Sequence, residues 1–398
     1  MSRRWIRLLF PLFALGLSLG LVELGLRVGG IAYPALDRPT YGLREWGVPH
    51  AEGWATGETR QWVRLNAEGA RDRDHAVAKP PDTLRIVVVG DSYTSAFHVP
   101  LEATFWSVAE RRLADCDARR GREIELIALG KEGYGTVEEL LALRRFGFRY
   151  APDWVVLAFL TGNDFRNNSP ALKRSDRPYF VLEEGGLRLD ESYAERASFR
   201  RWAGWEGDLW YGLVNRVRIV QVARHVASQV ERRLEAAKDE TRAKQAAPGA
   251  EPGLDDGIYL EPDDAAWRSA WQTTEAVIER MRDEVREHDA RFLLMTLSNA
   301  IQVNPDAALR TAYAERTGAV DLFAPDRRLA RFAEAAGIPV LTLAPTLRAW
   351  AEQNDTCVHG FEAPWICQGH WNVHGHRVAG EALATRLCEE LGREAAGR

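Results

Sequence analysis

The sequence predicts an α/β protein built on a doubly wound parallel sheet, and three observations support this fold class. Five short runs of β-branched and apolar residues end in turn residues, as buried parallel strands do. Segments with the length and apolar spacing of helices separate these runs. Polar blocks follow the carboxyl ends of several strands, where sheets of this kind bind ligands. The predicted strands span residues 84–89, 124–129, 154–159, 292–297 and 340–343.

The predicted helices show apolar residues that recur every three or four positions, which is the period of one helix face. Because right-handed crossovers bring the carboxyl ends of all strands to one edge, residues that follow different strands should meet there. The predicted helices span residues 101–113, 137–146, 265–288, 327–336 and 375–391.

The first strand ends at Gly90-Asp91-Ser92, before the helix predicted at 101–113. Ser92 is therefore expected in a strand-to-helix turn at the mouth of the crevice, where its backbone N–H can point at an anion. From this motif alone, Ser92 could equally be an ordinary helix cap, because Ser and Asp are common capping residues. The blocks that follow the later strands favour a functional role.

Three further blocks follow in order along the chain: Gly133 after the second strand, Gly162-Asn163-Asp164 after the third, and His370-Trp371-Asn372 near the C-terminus. Together with Gly90-Asp91-Ser92, they resemble the SGNH (GDSL-type) hydrolase family in its membrane-anchored bacterial form. The resemblance extends from about residue 84 to the C-terminus, apart from one long insertion. It implies a flavodoxin-like three-layer fold and a serine esterase that needs neither a cofactor nor a metal.

The resemblance also assigns site residues. An ester hydrolase needs a nucleophile, a base and donors for the oxyanion. Ser92 would be the nucleophile and His370 the base. The oxyanion hole would consist of the Ser92 and Gly133 N–H groups and the Asn163 amide, with the Gly135 N–H as a fallback donor. The supporting residues are Asp91, Asp164 and Asn372.

Each of these residues has a plainer interpretation. The glycines at 133 and 135 could simply form a strand-to-helix turn, and Asn163 could form an Asx turn beside Asp164, whose carboxylate would accept backbone N–H groups. His370, His374 and His376 could suggest a metal cluster, but no acid lies at ligand spacing beside them. We therefore expect the last two at the start of a helix.

One position departs from the family pattern. An acid usually stands two or three residues before the histidine, where this chain has Cys367 and Gln368. Glu362 or Asp355 could supply the carboxylate, or Ser92 and His370 could act as a dyad. Loss of a triad acid can cost about 10⁴ in turnover. This motivates a second hypothesis, a catalytically weak polysaccharide-binding component; a third is a lipid esterase or thioesterase with an apolar groove.

Residues 1–33 are predicted to be a signal anchor. A basic flank precedes the uncharged run 8–22, and extension to residue 33 gives a full membrane span in which Glu23 and Arg27 can pair. Cleavage after a weak small-residue site at 30–32 is the alternative. The basic flank places the N-terminus in the cytoplasm and the remaining chain outside, on the periplasmic side in a Gram-negative cell.

The rest of the chain divides into a lead-in segment, 34–82, predicted to be structural, and a hydrolase domain, 83–398. Within this domain, residues 169–264 form a helical insertion. Its tryptophans belong either to a lid near the site or to the core of a small subdomain. Residues 247–253 have the composition of a flexible linker. The tryptophans are Trp202, Trp205 and Trp210.

Charge and cysteine content limit the function classes. The formal net charge of −5 and the absence of a basic face argue against a nucleic-acid partner. Four cysteines suit an oxidising compartment. Cys357 and Cys367 bracket the loop before His370, and Cys116 and Cys388 could be neighbours. Four cysteines allow three disulfide pairings, and the sequence does not choose among them. With the resemblance, this compartment suggests hydrolysis or transfer of a small acyl group, such as acetyl, on an envelope or exported glycan.

Overall fold

The computed structural model describes residues 3–243, 254–362 and 366–396. The strands are β1 (Asp37–Pro39), β2 (Glu45–Gly47), β3 (Glu52–Thr56), β4 (Arg60–Arg64), β5 (Thr83–Gly90), β6 (Glu123–Gly130), β7 (Trp154–Leu160), β8 (Tyr179–Glu183), β9 (Gly186–Asp190), β10 (Arg291–Leu297) and β11 (Val340–Thr342). The helices are α1 (Arg3–Val28), α2 (Ser92–Ser95), α3 (Phe105–Leu113), α4 (Thr136–Ala142), α5 (Asp164–Asn167), α6 (Ala197–Ala203), α7 (Trp205–Arg216), α8 (Arg218–Ala243), α9 (Ala265–Glu287), α10 (Ala300–Val303), α11 (Ala307–Thr317), α12 (Ala324–Ala335), α13 (Ala344–Asn354) and α14 (Val373–Ala396).

The central sheet has five parallel strands in the order β11-β10-β7-β5-β6. Each of them matches a predicted strand closely, so the predicted fold class is confirmed. The first strand in the chain, β5, pairs with β6 on one side and β7 on the other. The strand order therefore reverses beside β5, and such reversals open a crevice at the carboxyl ends of the strands.

Alternate residues of β5 belong to two separate cores. Ile86 and Val88 pack in a cluster with residues of α3, α13 and α14, whereas Val87 and Val89 pack with residues of α4, α9 and α12. This alternation is the period of a strand, and helices cover both faces of the sheet. Each fully buried Val or Ile contributes about 1.5–3 kcal/mol relative to an exposed one. The carboxyl edge of the sheet is thus held on a rigid base.

The insertion packs against the lead-in segment and the end of α1. The Glu23 carboxylate accepts the backbone N–H groups of Arg218 (3.1 Å) and Ile219 (3.0 Å), at the first turn of α8. The Asn215 side chain pairs with the backbone of Ala35 through two hydrogen bonds of 2.7 and 3.1 Å. Segments far apart in sequence therefore form one unit beside the sheet.

The insertion tryptophans at 202, 205 and 210 are exposed on α6 and α7, so they do not form the core of a small subdomain, which was one of the two alternatives. The reason is that α7 buries its opposite side, through Gly207 and Val214. A lid near the site stays a prediction. The predicted flexible linker, 247–253, lies outside the described residues.

The cysteines form two disulfides. Cys116 after α3 joins Cys388 on α14, with a Cα–Cα distance of 5.9 Å, and Cys357 joins Cys367 at 5.2 Å. Among the three pairings that the sequence allowed, tertiary packing selects the one that ties α3 to α14 and closes the loop before His370.

Candidate active site

Ser92 is the first residue of α2 and follows directly after β5. Asp91 is the residue that caps this short helix, because its Oδ1 accepts the Tyr93 N–H at 2.9 Å. The turn is pressed onto the end of the sheet: a Cβ added at Gly130, the last residue of β6, would lie 2.3 Å from the Ser95 nitrogen. The Ser92 hydroxyl is therefore not needed as a cap and points into the crevice, toward His370.

The structure brings Ser92 and His370 together with a third residue, Glu58. The distance from Ser92 Oγ to His370 Nε2 is 2.8 Å, and that from His370 Nδ1 to Glu58 Oε1 is 2.7 Å. The His370 backbone N–H also donates to Glu58 Oε2 at 3.0 Å. With its Nδ1–H held by a carboxylate, His370 can accept the serine proton at Nε2, which is the arrangement of a Ser–His–acid triad.

Glu58 is the site residue that sequence reasoning missed. It lies in the turn between β3 and β4, in the lead-in segment that was expected to be only structural. The predicted acids do not contact the ring: Glu362 is exposed, and Asp355 ends α13 in a left-handed conformation with φ 45°. The only sequence signal was a Gly-Glu turn between two short strands, 312 residues before His370.

Close packing positions the Glu58 carboxylate. Gly369 has φ +74°, and a Cβ at this residue would lie 2.6 Å from each carboxylate oxygen. The neighbouring Thr59 hydroxyl donates to the His98 carbonyl at 3.0 Å, and the Tyr93 hydroxyl donates to the Gly369 carbonyl at 3.2 Å. The glycine is thus required both for its backbone conformation and for the approach of the acid.

Glu58 controls the charge of the site. Burial alone would lower the pKa of His370, but the hydrogen bond and negative charge of Glu58 outweigh it, so this pKa is raised above the ordinary 6.5. Burial opposes ionisation of Glu58 as well, yet its hydrogen bonds and attraction to His370 leave its pKa lowered. Burial raises the pKa of Asp91 to about 6. Of these carboxyl groups, Glu58 is the one that is ionised most readily.

A second histidine, His98, stacks on His370 with ring centroids 4.1 Å apart and an interplanar angle of 16°. Burial, followed by repulsion from His370, lowers the pKa of His98 to about 3, so this ring stays neutral. Within the described residues, the ligand atoms of Glu58, His98 and His370 lie within 4.8 Å of one another. Both ring nitrogens of His370 already have partners, so a cation there would displace Ser92 or Glu58.

The other two C-terminal histidines contact other parts of the protein. His374 stacks on Trp350, and the buried Nδ1 of His376 accepts the Phe105 N–H at 3.2 Å. Both lie at the start of α14, where the sequence placed them. The cluster of three histidines that the sequence suggested is therefore not assembled around one point.

The oxyanion donors expected from the sequence follow three neighbouring strands. Gly133 has φ +70°, and Arg177 fixes its carbonyl through a hydrogen bond of 2.7 Å. Among the described residues, neither the Gly133 N–H nor the Ser92 N–H has an acceptor. The fallback donor is not available, because the Gly135 N–H donates to the Glu138 side chain at 3.2 Å. These two free N–H groups suit an oxyanion hole.

The third donor and its neighbour lie after β7. Asn163 Nδ2 is 3.5 Å from Asp91 Oδ2, a long contact that leaves the amide able to donate elsewhere. The Asp164 carboxylate accepts the Leu160 N–H at 3.1 Å and so holds the turn, as expected for it. Asn372 has a structural role, because its Oδ1 accepts the His374 N–H at 2.9 Å at the start of α14.

A cavity of about 270 Å³ lies next to the triad. His98 contributes to its wall and separates it from the ring of His370. The lead-in segment, the loop after α2 and helix α8 all contribute. Its polar and charged lining residues include Asp37, Thr56, Thr59, Glu132, Arg224 and Ser228, and its aromatic ones include Tyr33, Trp54 and Phe97.

The five-stranded order reverses beside β5, and Ser92, Gly133 and Asn163 follow adjacent strands opposite His370. The chain has a three-layer, doubly wound α/β fold. Solved structures with a similar architecture include an acetyl xylan esterase (12% identity, 76% of this chain and 98% of that chain, TM-score 0.36). Another is a G-D-S-L family lipolytic protein from Desulfitobacterium hafniense (11% identity, 76% of this chain and 99% of that chain, TM-score 0.36). A third is a lipase from a goat rumen metagenome (15% identity, 76% of this chain and 97% of that chain, TM-score 0.36).

No family model and no curated protein matches the sequence. Identity and TM-score to the solved SGNH structures are low, so the function of this chain has to follow from its own residues.

Proposed function

We propose that the protein is a serine ester hydrolase that acts through an acyl-Ser92 intermediate. The observation that carries this proposal is the continuous hydrogen-bond chain from Ser92 through His370 to Glu58, with distances of 2.8 and 2.7 Å. A serine hydroxyl is a weak nucleophile, and a base held in one tautomer by a carboxylate is what activates it.

In the first half-reaction, Ser92 Oγ attacks the ester carbonyl while its proton passes to His370 Nε2. The oxyanion accepts hydrogen bonds from the N–H groups of Ser92 and Gly133 and from the Asn163 amide. The imidazolium, stabilised by Glu58, then gives its proton to the departing alcohol oxygen. Water attacks the acyl-Ser92 with His370 as base, and the serine and the free acid are released.

The cavity beside His98 supports a small, hydroxylated substrate. A volume of about 270 Å³ with polar, charged and aromatic lining residues suits a short acyl group or a sugar residue better than a long acyl chain. We therefore infer removal of small acyl groups, such as acetyl, from an envelope or exported glycan. A sugar hydroxyl in place of water would make the same intermediate a transferase.

The two other hypotheses from the sequence are weaker. A non-catalytic polysaccharide-binding role was motivated by the absence of a triad acid, and Glu58 now stands in that position. A lipid esterase needs an apolar groove, whereas Asp37 and Glu132 line the cavity. Small polar esters remain the substrate class that the site favours.

We further propose that α1 anchors the protein in a membrane, with the catalytic domain on the extracytoplasmic side. Leu9–Val28 is long and apolar enough for a span, and its side chains are not buried by the rest of the protein. The contacts of Glu23 with α8 support retention of this segment rather than its cleavage. Two disulfides suit an oxidising compartment.

The test uses the full chain in detergent, with p-nitrophenyl esters of increasing acyl length and a fluorophosphonate label. We expect the acetyl ester to be the best substrate and the label to attach to Ser92. Ser92→Ala and His370→Ala should lose hydrolysis, whereas His374→Ala, which alters an exposed neighbour, should keep it. Equal activity in wild type and Ser92→Ala would overturn the serine mechanism.

A further inference from the structure

We propose that helix α7 lies on the outer surface of the phospholipid bilayer and inserts its apolar side into the headgroup region. This surface, the α7 apolar face, consists of Trp205, Leu209 and Leu213, whose exposed fractions are 70%, 66% and 46%. The inference rests on the proposed anchoring by α1, and it goes further by giving the insertion a function.

The α7 apolar face is one side of a two-sided helix. Residues four apart lie on the same side of a helix, which aligns 205, 209 and 213. The buried residues Gly207 and Val214 lie on the opposite side and attach α7 to the protein. The leucine and tryptophan side chains on the outward side are largely exposed, and such exposed apolar patches mark interaction surfaces.

Contacts with α1 place the C-terminal end of α7 at the level of the membrane surface. Arg27 donates to the carbonyl of Arg216, the last residue of α7, and Glu23 accepts the N–H of Arg218. The span ends at Val28, so with a rise of 1.5 Å per residue these contacts lie within about 8 Å of its end. Helices that lie in the interface insert to a depth of about 5–10 Å, so the two depths agree.

The contacts that follow give the direction of α8. Glu23 meets the first residue of α8, Arg218, whereas Tyr33 meets Gln221 through a hydrogen bond of 2.9 Å and stacks on His225 with centroids 3.8 Å apart. The chain after α1 and helix α8 thus leave the membrane side by side. Helix α7 joins this pair at its membrane end through Arg216, and the cavity lies further along the pair, where His225 contributes to its wall.

The side chains around the α7 apolar face suit a bilayer rather than a protein partner. Trp202 and Trp210 are exposed beside it, and Arg200 and Arg201 are exposed on α6, where Arg201 also pairs with Glu206 of α7. Tryptophan is enriched at the headgroup level of membranes, and basic residues there are attracted to anionic lipids. The contact of Arg216 with Arg27, at the end of the proposed span, makes the lipid surface the occupant that we assign.

Two contacts with the membrane would fix the orientation of the catalytic domain. A single helix allows the domain to rotate and tilt, whereas α1 and α7 together hold the cavity beside the bilayer. Acylated chains would then be met as they emerge at the membrane surface.

The test uses the full chain in vesicles of phosphatidylethanolamine and phosphatidylglycerol that contain a doxyl-labelled phospholipid. The environment-sensitive fluorophore NBD is attached to single cysteines in Leu209→Cys, in Leu15→Cys within α1, and in Val320→Cys, a fully exposed control position between α11 and α12. Because interfacial helices lie within reach of a shallow quencher, we expect quenching at 209 to be about two-fold or more stronger than at 320.

The outcomes separate this inference from the proposals on which it rests. Quenching at 15 without quenching at 209 would overturn the α7 surface and leave the anchor intact. No quenching at 15 would overturn the anchor and this inference together. Neither result depends on ester hydrolysis, so loss of the enzymatic proposal would be seen separately in the p-nitrophenyl assay.

Discussion

Replacement of Glu58 by glutamine isolates the contribution of the triad acid. Both carboxylate oxygens accept hydrogen bonds from His370, one from Nδ1 at 2.7 Å and one from the backbone N–H at 3.0 Å. An amide has one acceptor and one donor, so Glu58→Gln cannot satisfy both. If its NH₂ faces the ring, His370 must move its proton to Nε2, and it can then no longer accept a proton from Ser92.

The expected loss follows from the charge and the tautomer. Opposite charges about 4 Å apart attract each other by about 4 kcal/mol at an effective dielectric constant near 20. At 1.36 kcal/mol per factor of ten, removing this stabilisation of the imidazolium lowers the rate about 10³-fold. The wrong tautomer of His370, with its proton on Nε2, increases the loss toward the ~10⁴ in turnover known for replacement of a triad acid by its amide. Glu58→Gln should therefore reduce kcat/KM about 10³- to 10⁴-fold.

The assay is hydrolysis of p-nitrophenyl acetate over a pH series. Because Glu58 raises the pKa of His370, Glu58→Gln should also move the acidic limb of the remaining activity to lower pH. Glu362→Gln and Asp355→Asn, at the acids that the sequence had suggested, are matched controls and should retain wild-type rates. Activity of Glu58→Gln within a few-fold of wild type, or a dependence on Glu362, would refute the reasoning.

Three further predictions concern the same site. In the wild type, the base must be neutral, so kcat/KM should fall as pH drops through a midpoint above 6.5; a midpoint at or below this value would contradict the raised pKa of His370. Gly369→Ala should displace Glu58 and lose as much activity as Glu58→Gln, whereas Gly318→Ala, with a nearly equal φ of +75° and open space around it, should cost similar stability without loss of rate. Thermal melting and the same esterase assay check these two variants. Equal esterase rates in Gly369→Ala and Gly318→Ala would argue against the role of Gly369 in positioning Glu58. Asn163→Ala should lower kcat about 10²- to 10³-fold, as expected for an oxyanion donor, and a change confined to KM would count against that role.

The sequence alone determined the sheet and most of the crevice. Strands are local signals, because a run such as 84–89 must be buried on both faces, and its turn chemistry marks its end. Parallel crossovers then bring residues that follow adjacent strands together, so Ser92, Gly133 and Asn163 could be placed by their order in the chain. His370 was indicated by its block near the C-terminus.

Only the tertiary structure decided which acid orients His370, which cysteines pair and where the insertion packs. Glu58 lies 312 residues before the histidine, in a hairpin whose local sequence, apart from the Gly-Glu turn, carries no sign of the contact. A carboxylate acts through space, and any loop that reaches the edge of the sheet can supply it. The same holds for Glu23 and α8, since packing between distant segments depends on their three-dimensional fit rather than on a local pattern.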